Sequence, residues 1–184
     1  MTGKHNERMK RFCQAGLYLV SSESLSYGRK TIDIIRAALA AGVRLIQLRE
    51  KEMATSKLFS LARQVRRMTE EANALLIIND RVDVALAAGA DGVHLGQDDF
   101  PVSAARSLAP DLIIGVSIHS VLEAHAAESA GASYVNIGPV FPTHSKEWSG
   151  KFLGIEAVAT ISRAVSIPFT VMGGIKKKHI PALR

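Results

Sequence analysis

The apolar run Leu45-Ile46-Gln47-Leu48 stops on Arg49, Glu50 and Lys51. Two cations beside the end of a buried strand either mark where the chain meets solvent or face an anion. Other apolar runs end in side chains that suit the second reading. Asn79 and Asp80 close one run, Gln97, Asp98 and Asp99 another, and Ser117 and His119 a third; Thr143, Ser145 and Lys146 follow a fourth, and Gly173-Gly174 closes a fifth. Arg49, Lys51 and Lys146 can clamp phosphate oxygens, the arginine in bidentate fashion. Asp80 and Asp99 are hard oxygen donors suited to Mg²⁺, which one or two carboxylates hold together with substrate phosphates. Ser117, Thr143, Ser145 and the paired glycines offer hydroxyls and backbone N–H groups to a second anion. The expected chemistry is a diphosphate–Mg²⁺ centre. Plainer readings stand beside it. Asn79-Asp80 could cap the helix that starts at VDVALAA, residues 142–146 could be a simple turn, and His94 reads as a core histidine. His119 could help position Ser117, and Trp148 could be a lid or mere surface.

These residues need a frame that brings strand ends to one face. Short apolar or β-branched runs recur at 16–21, 43–49, 75–80, 92–96, 112–117, 134–140 and 168–174. Helical spacing lies between them, as in the stripe Leu58, Leu61, Ala62, Val65 and Met68. Alternating strands and helices demand a parallel sheet. AALAAGVRLIQLR, VALAAGADGVHLG and AAESAGASYVNIG echo one another, with Gly42, Gly89 and Gly131 spaced 47 and 42 residues apart. Each glycine stands where a helix end favours left-handed backbone. The even spacing, and the lack of GxGxxG after the first run, favour a (β/α)₈ TIM-type barrel over a doubly wound sheet. All C-terminal strand ends of such a barrel open on one face. Seven strands are present; the eighth strand and helix are absent from this sequence, and the chain is expected to expose the edges of its first and seventh strands. The chain reads as a single barrel domain over 1–184, with a basic N-terminal tail at about 1–14.

Composition narrows the setting. Hydrophobic residues make up 47% and charged residues 22%, as in a globular protein, while aromatics at 5% leave the core to Ala, Val, Ile and Leu. The one cysteine, Cys13, excludes an internal disulfide and a cysteine-rich zinc site, and fits a reducing cytoplasm. No apolar stretch reaches the roughly 18–20 residues of a membrane span. The formal charge of +6 gathers at Lys4, Arg8, Lys10, Arg11 and at Lys176, Lys177, Lys178, Arg184. Without interleaved aromatics for stacking bases, these patches read as solvated tails and not as a nucleic-acid site.

QLREK (47–51), INDRVDVALAAGADGVHLGQDD (78–99), GVSIHS (115–120), GPVFPTHSK (138–146) and VMGGI (171–175) closely resemble thiamine-phosphate synthase. The resemblance spans about Tyr18 to Ile175. It implies a barrel enzyme of thiamine biosynthesis that joins an aminopyrimidine diphosphate to a thiazole phosphate, giving thiamine phosphate and pyrophosphate. By motif position, Gln47, Arg49, Lys51, Asn79, Ser117 and Lys146 would hold the pyrimidine diphosphate. Arg49, Lys51, Ser117 and Lys146 would carry the catalytic role, and Asp80 and Asp99 would ligate Mg²⁺. Thr143, Ser145 and Gly174 would contact the thiazole phosphate. The sister thiazole tautomerases share the fold but typically lack the two aspartates. A non-catalytic or regulatory phosphate-binding relative is the other alternative. Two departures from the family pattern are Ser21-Ser22 for Thr-Asp after the first strand and Ile118 for Thr. The family's eighth strand normally supplies donors to the thiazole phosphate. Its absence leads to the expectation that, relative to a form with the eighth unit, the 184-residue chain binds the pyrimidine diphosphate better than the thiazole phosphate.

Overall fold

β-Branched and aliphatic runs between glycine-stopped helices produce seven strands, all parallel and paired in chain order. The computed structural model describes residues 2–143 and 150–183. The strands are β1 (Tyr18–Val20), β2 (Leu45–Leu48), β3 (Leu75–Asn79), β4 (Gly92–Leu95), β5 (Ile113–Ile118), β6 (Tyr134–Ile137) and β7 (Phe169–Val171). The helices are α1 (Gly3–Gln14), α2 (Thr31–Ala40), α3 (Thr55–Glu71), α4 (Val82–Ala87), α5 (Val102–Leu108), α6 (Val121–Ser129) and α7 (Gly154–Ser162). A 3₁₀ turn at Glu23–Leu25 follows β1, and another spans Lys177–Leu183.

The three echoed glycines do what their position implies. Gly42, Gly89 and Gly131 have φ of 90°, 67° and 92°. The residue after each bonds back across the last turn: Val43 N to Ala38 O at 3.0 Å, Ala90 N to Ala85 O at 2.9 Å and Ala132 N to Ala127 O at 3.0 Å. This is the Schellman closure, and it turns each helix directly into the next strand.

The sheet curls into an incomplete barrel. Tyr18 on β1 reaches across to Tyr134 on β6, hydroxyl to hydroxyl at 2.8 Å, which a flat sheet would forbid. One apolar layer lies outside, between strands and helices, with Ile46, Leu48, Leu76, Ile78, Val93, Leu95 and Ile114 facing it. A smaller one fills the barrel floor with Leu45, Leu75, Ile77, Ile113 and Tyr134. Among the described residues β1 pairs only with β2 and β7 only with β6, so both edges are bare. Phe169 on β7 is 45% exposed.

The basic N-terminus is not the solvated tail expected from its charge. It forms α1, with Thr2 Oγ1 accepting from His5 N at 3.1 Å as its cap. His5, Arg8 and Phe12, spaced three and four residues apart, make one buried face that plugs the barrel floor. Phe12 stacks on Tyr134 with ring centroids 4.4 Å apart. Arg8 Nε donates to Asp91 at 3.2 Å, and Asp91 also accepts from Arg66 Nη1 at 2.6 Å and Leu76 N at 3.0 Å. The stripe was hidden because one of its three members is a cation that finds its carboxylate 83 residues away.

Candidate active site

Above the apolar floor the barrel interior turns polar. Gln47, which the motif places at a strand end, lies within β2 and is buried. Its Nε2 donates to the Tyr18 hydroxyl at 2.7 Å. Tyr18 meets Tyr134, Tyr134 OH lies 2.8 Å from His94 Nδ1, and His94 Nε2 lies 2.9 Å from Ser117 Oγ. The row crosses the barrel from β2 to β5. Burial holds both phenols well above their ordinary pKa, so both stay protonated. Room for the row comes from Gly115 on β5: a Cβ there would lie 2.1 Å from the Tyr134 ring. His94 is thus a core histidine, as its place in the strand suggested, but one with both ring nitrogens engaged.

The rim carries the charges. Asp80 follows β3 with φ of 61°, a left-handed backbone uncommon outside glycine and asparagine. Arg81 N closes a tight turn around it onto Asn79 O at 2.8 Å, and Asp80 N donates to His94 O at 2.8 Å. The capping alternative fails: the N-cap of α4 is Arg81, without a side-chain cap bond. The Asp80 carboxyl instead faces Asp99. Burial, then the hydrogen bond and charge of Asp99, push the Asp80 pKa up to about 6, against the pull of Lys51 and Arg49. Lys51 Nζ stands 3.7 Å from Asp80 Oδ2. Asp99 Oδ2 accepts from Gly96 N at 2.7 Å, which fixes the loop after β4. Gln97 Nε2 ties that loop to Ser117 O at 2.6 Å. Two carboxyls in contact beside two cations form a pair of hard oxygen donors. They suit Mg²⁺, since it asks for one or two carboxylates and takes its other oxygens from water and phosphate. Among the described residues no group of three or more His, Cys, Asp or Glu could hold a metal.

Glu50, lying between the two cations, has a job that its sequence position concealed. It accepts from Ser21 Oγ at 2.9 Å, Thr31 Oγ1 at 2.7 Å and Glu23 N at 3.0 Å. Ser21 Oγ in turn accepts from Arg49 N at 3.0 Å. The loop after β1 is thereby locked to the end of β2, and Ser21 does this work from one of the departing positions. His119 serves α6 rather than the serine: its N and Nδ1 bind Glu123 Oε2 at 2.7 and 3.0 Å. On the far side of the mouth the chain after β6 runs beside the end of β7, with Val140 N to Met172 O and Phe141 N to Gly173 O both at 2.9 Å. Gly174, at φ 63°, lies so close that a Cβ would fall 2.3 Å from Pro142 O. Thr143 is therefore near Gly174 in space, while Ser145, Lys146 and Trp148 lie outside the described residues.

Residues 17–184 match the family model described as thiamine monophosphate synthase. The chain belongs to the thiamine monophosphate synthase family. A thiamine-phosphate synthase of Methanospirillum hungatei is 45% identical over 161 residues, covering 87% of this chain and 78% of that protein. One from Moorella thermoacetica is 45% identical over 163 residues, covering 88% and 78%. The solved structure of a thiamine phosphate pyrophosphorylase from Pyrococcus furiosus superposes with a TM-score of 0.84 at 38% identity, covering 97% of this chain and 82% of that one. The incomplete barrel is accordingly the family's TIM-like fold. Family membership accounts for the strand-end motifs; the interior row and the Glu50 lock come from the geometry alone.

Proposed function

We propose that this chain joins an aminopyrimidine methyl diphosphate to a thiazole phosphate, giving thiamine phosphate and pyrophosphate in thiamine biosynthesis. The observation that carries the reading is the Asp80–Asp99 pair at the barrel mouth, under the pull of Lys51 and Arg49. The relatives named thiamine-phosphate synthase support it. In this reaction the methylene carbon–oxygen bond of the diphosphate breaks and pyrophosphate leaves with the electron pair. The thiazole nitrogen lone pair forms the new carbon–nitrogen bond. The ring amine can stabilise positive charge on the methylene, so departure of the anion is the step that needs help. Mg²⁺ held by Asp80 and Asp99 would neutralise charge on the departing pyrophosphate.

The chain's own residues then act by position and charge. Arg49 and Lys51 face the leaving group from the end of β2, with Lys146 as a third cation. Asn79 and Ser117 donate to its oxygens, and Gln47 lines the pyrimidine side of the cavity. Thr143, Ser145 and Gly174 hold the thiazole phosphate. The apolar floor under α1 keeps water from entering behind the reacting carbon. We place the reaction in the cytoplasm, where a chain whose one cysteine is free is at home.

Incubating the two substrates with Mg²⁺, beside an EDTA control, tests this by mass spectrometry of the product. Thiamine phosphate should form only with the metal. Undiminished turnover in EDTA would remove the metal assignment. Binding of both ligands without product would return the chain to the non-catalytic alternative.

A further inference from the structure

The polar row inside the barrel has a direction, and that direction decides what Ser117 can offer. Gln47 Nε2 donates to the Tyr18 hydroxyl at 2.7 Å, so Tyr18 already accepts one bond there. Its single proton must then go to its other partner, Tyr134. Were Tyr18 to accept from Tyr134 as well, its own proton would be stranded without an acceptor in a buried site. Tyr134 therefore passes its proton to His94 Nδ1, 2.8 Å away, and that nitrogen must be bare. The neutral ring carries its hydrogen on Nε2, which faces Ser117 Oγ at 2.9 Å. Ser117 accepts, and its own proton points out of the row. Ser117 stands on β5 beside the loop that carries Asp99, and His94 O holds Asp80 N.

We propose that His94 is a positioning residue: held as its Nε2–H tautomer by Tyr134, it donates to Ser117 and leaves the serine proton for an anion at the barrel mouth. This rests on the reading that the mouth takes a diphosphate. The row also gives Tyr134, far from the rim, an effect on anion affinity that its apolar surroundings would not suggest. Presenting the Gln47 carbonyl to Tyr18 would reverse every hydrogen in the row and turn the serine proton inward, so the tautomer of His94 reports the order of the whole row.

The test has two parts on the full chain. Nitrogen-15 NMR of the histidine side chains in the wild-type protein reads the tautomer directly and needs no substitution. The expected spectrum shows His94 protonated at Nε2 and bare at Nδ1, and Tyr134→Phe should release the ring into a mixture. Calorimetry with inorganic pyrophosphate and Mg²⁺ then reads the consequence. Ser117→Ala and Tyr134→Phe should each weaken binding roughly tenfold, the scale of one hydrogen bond to a charged group. The double variant should be no weaker than Ser117→Ala, because both remove the same donor. An Nδ1–H tautomer, or additive losses in the double variant, overturns the proposal while leaving the proposed reaction intact. An Nε2–H tautomer in a chain that does not bind pyrophosphate at all overturns the anion reading of the mouth and the serine's role with it.

Discussion

Replacing Asp80 with Asn should stabilise the fold at neutral pH while removing a carboxylate from the proposed Mg²⁺ site. The folded chain raises the Asp80 pKa from 3.8 to about 6, mainly through burial and then through Asp99. Between pH ~4 and 6 the folded state therefore keeps a proton that the unfolded chain has released. Stability falls as pH rises through that window, and the whole cost is present above it. Two pKa units would be about 3 kcal/mol in a fully shielded site. The Asp80 side chain is 25% exposed, so solvent screening brings the figure to about 1 kcal/mol. Asparagine has the same shape and tolerates left-handed backbone better than most residues, so φ of 61° adds no strain. Thermal unfolding in EDTA at pH 7.5 should show Asp80→Asn melting about 2–4 °C higher than wild type, a gain that shrinks toward pH 4.5. Activity should be lost at every pH. A variant that melts lower at pH 7.5, or gains equally at both pH values, would refute the placement of two carboxylates in mutual repulsion.

Arg49→Ala and Lys51→Ala should each lower kcat/KM for thiamine phosphate formation by roughly 10²–10³, the loss of one preorganised charge contact. Lys178→Ala, on an exposed position of the C-terminal 3₁₀ turn, should leave it unchanged. Phe12→Ala should cost about 3–5 kcal/mol by emptying the barrel floor, seen as a fall of roughly 10 °C in Tm.

Local signals carried most of the frame. The glycine stops, the seven apolar runs and the helical stripes are short-range features, and each appears in the structure where its spacing put it. The rim was legible because Arg49, Lys51, Asp80 and Asp99 each sit within four residues of a strand's C-terminal end. What stayed hidden depends on distant partners. Arg8 looked like tail charge until Asp91 answered it. Tyr18, Tyr134 and His94 lie on β1, β6 and β4, and only the curl of the sheet makes them neighbours. Glu50 sits between two cations, yet its own partners are in the loop after β1 and at the start of α2. Gln47 lies within a run that ends in charge, and the period of two sends its side chain inward to a partner on β1.

Asp80 and Asp99 are proposed as a metal site completed by a diphosphate. Calorimetric titration of inorganic pyrophosphate into the chain, with and without Mg²⁺, addresses it most directly. The expected result is binding at least tenfold tighter with Mg²⁺ at pH 7.5, with that gain abolished in Asp80→Asn and fading in wild type below pH 6 as Asp80 takes up its proton. Equal affinity with and without the metal, or a gain that survives Asp80→Asn, would contradict it.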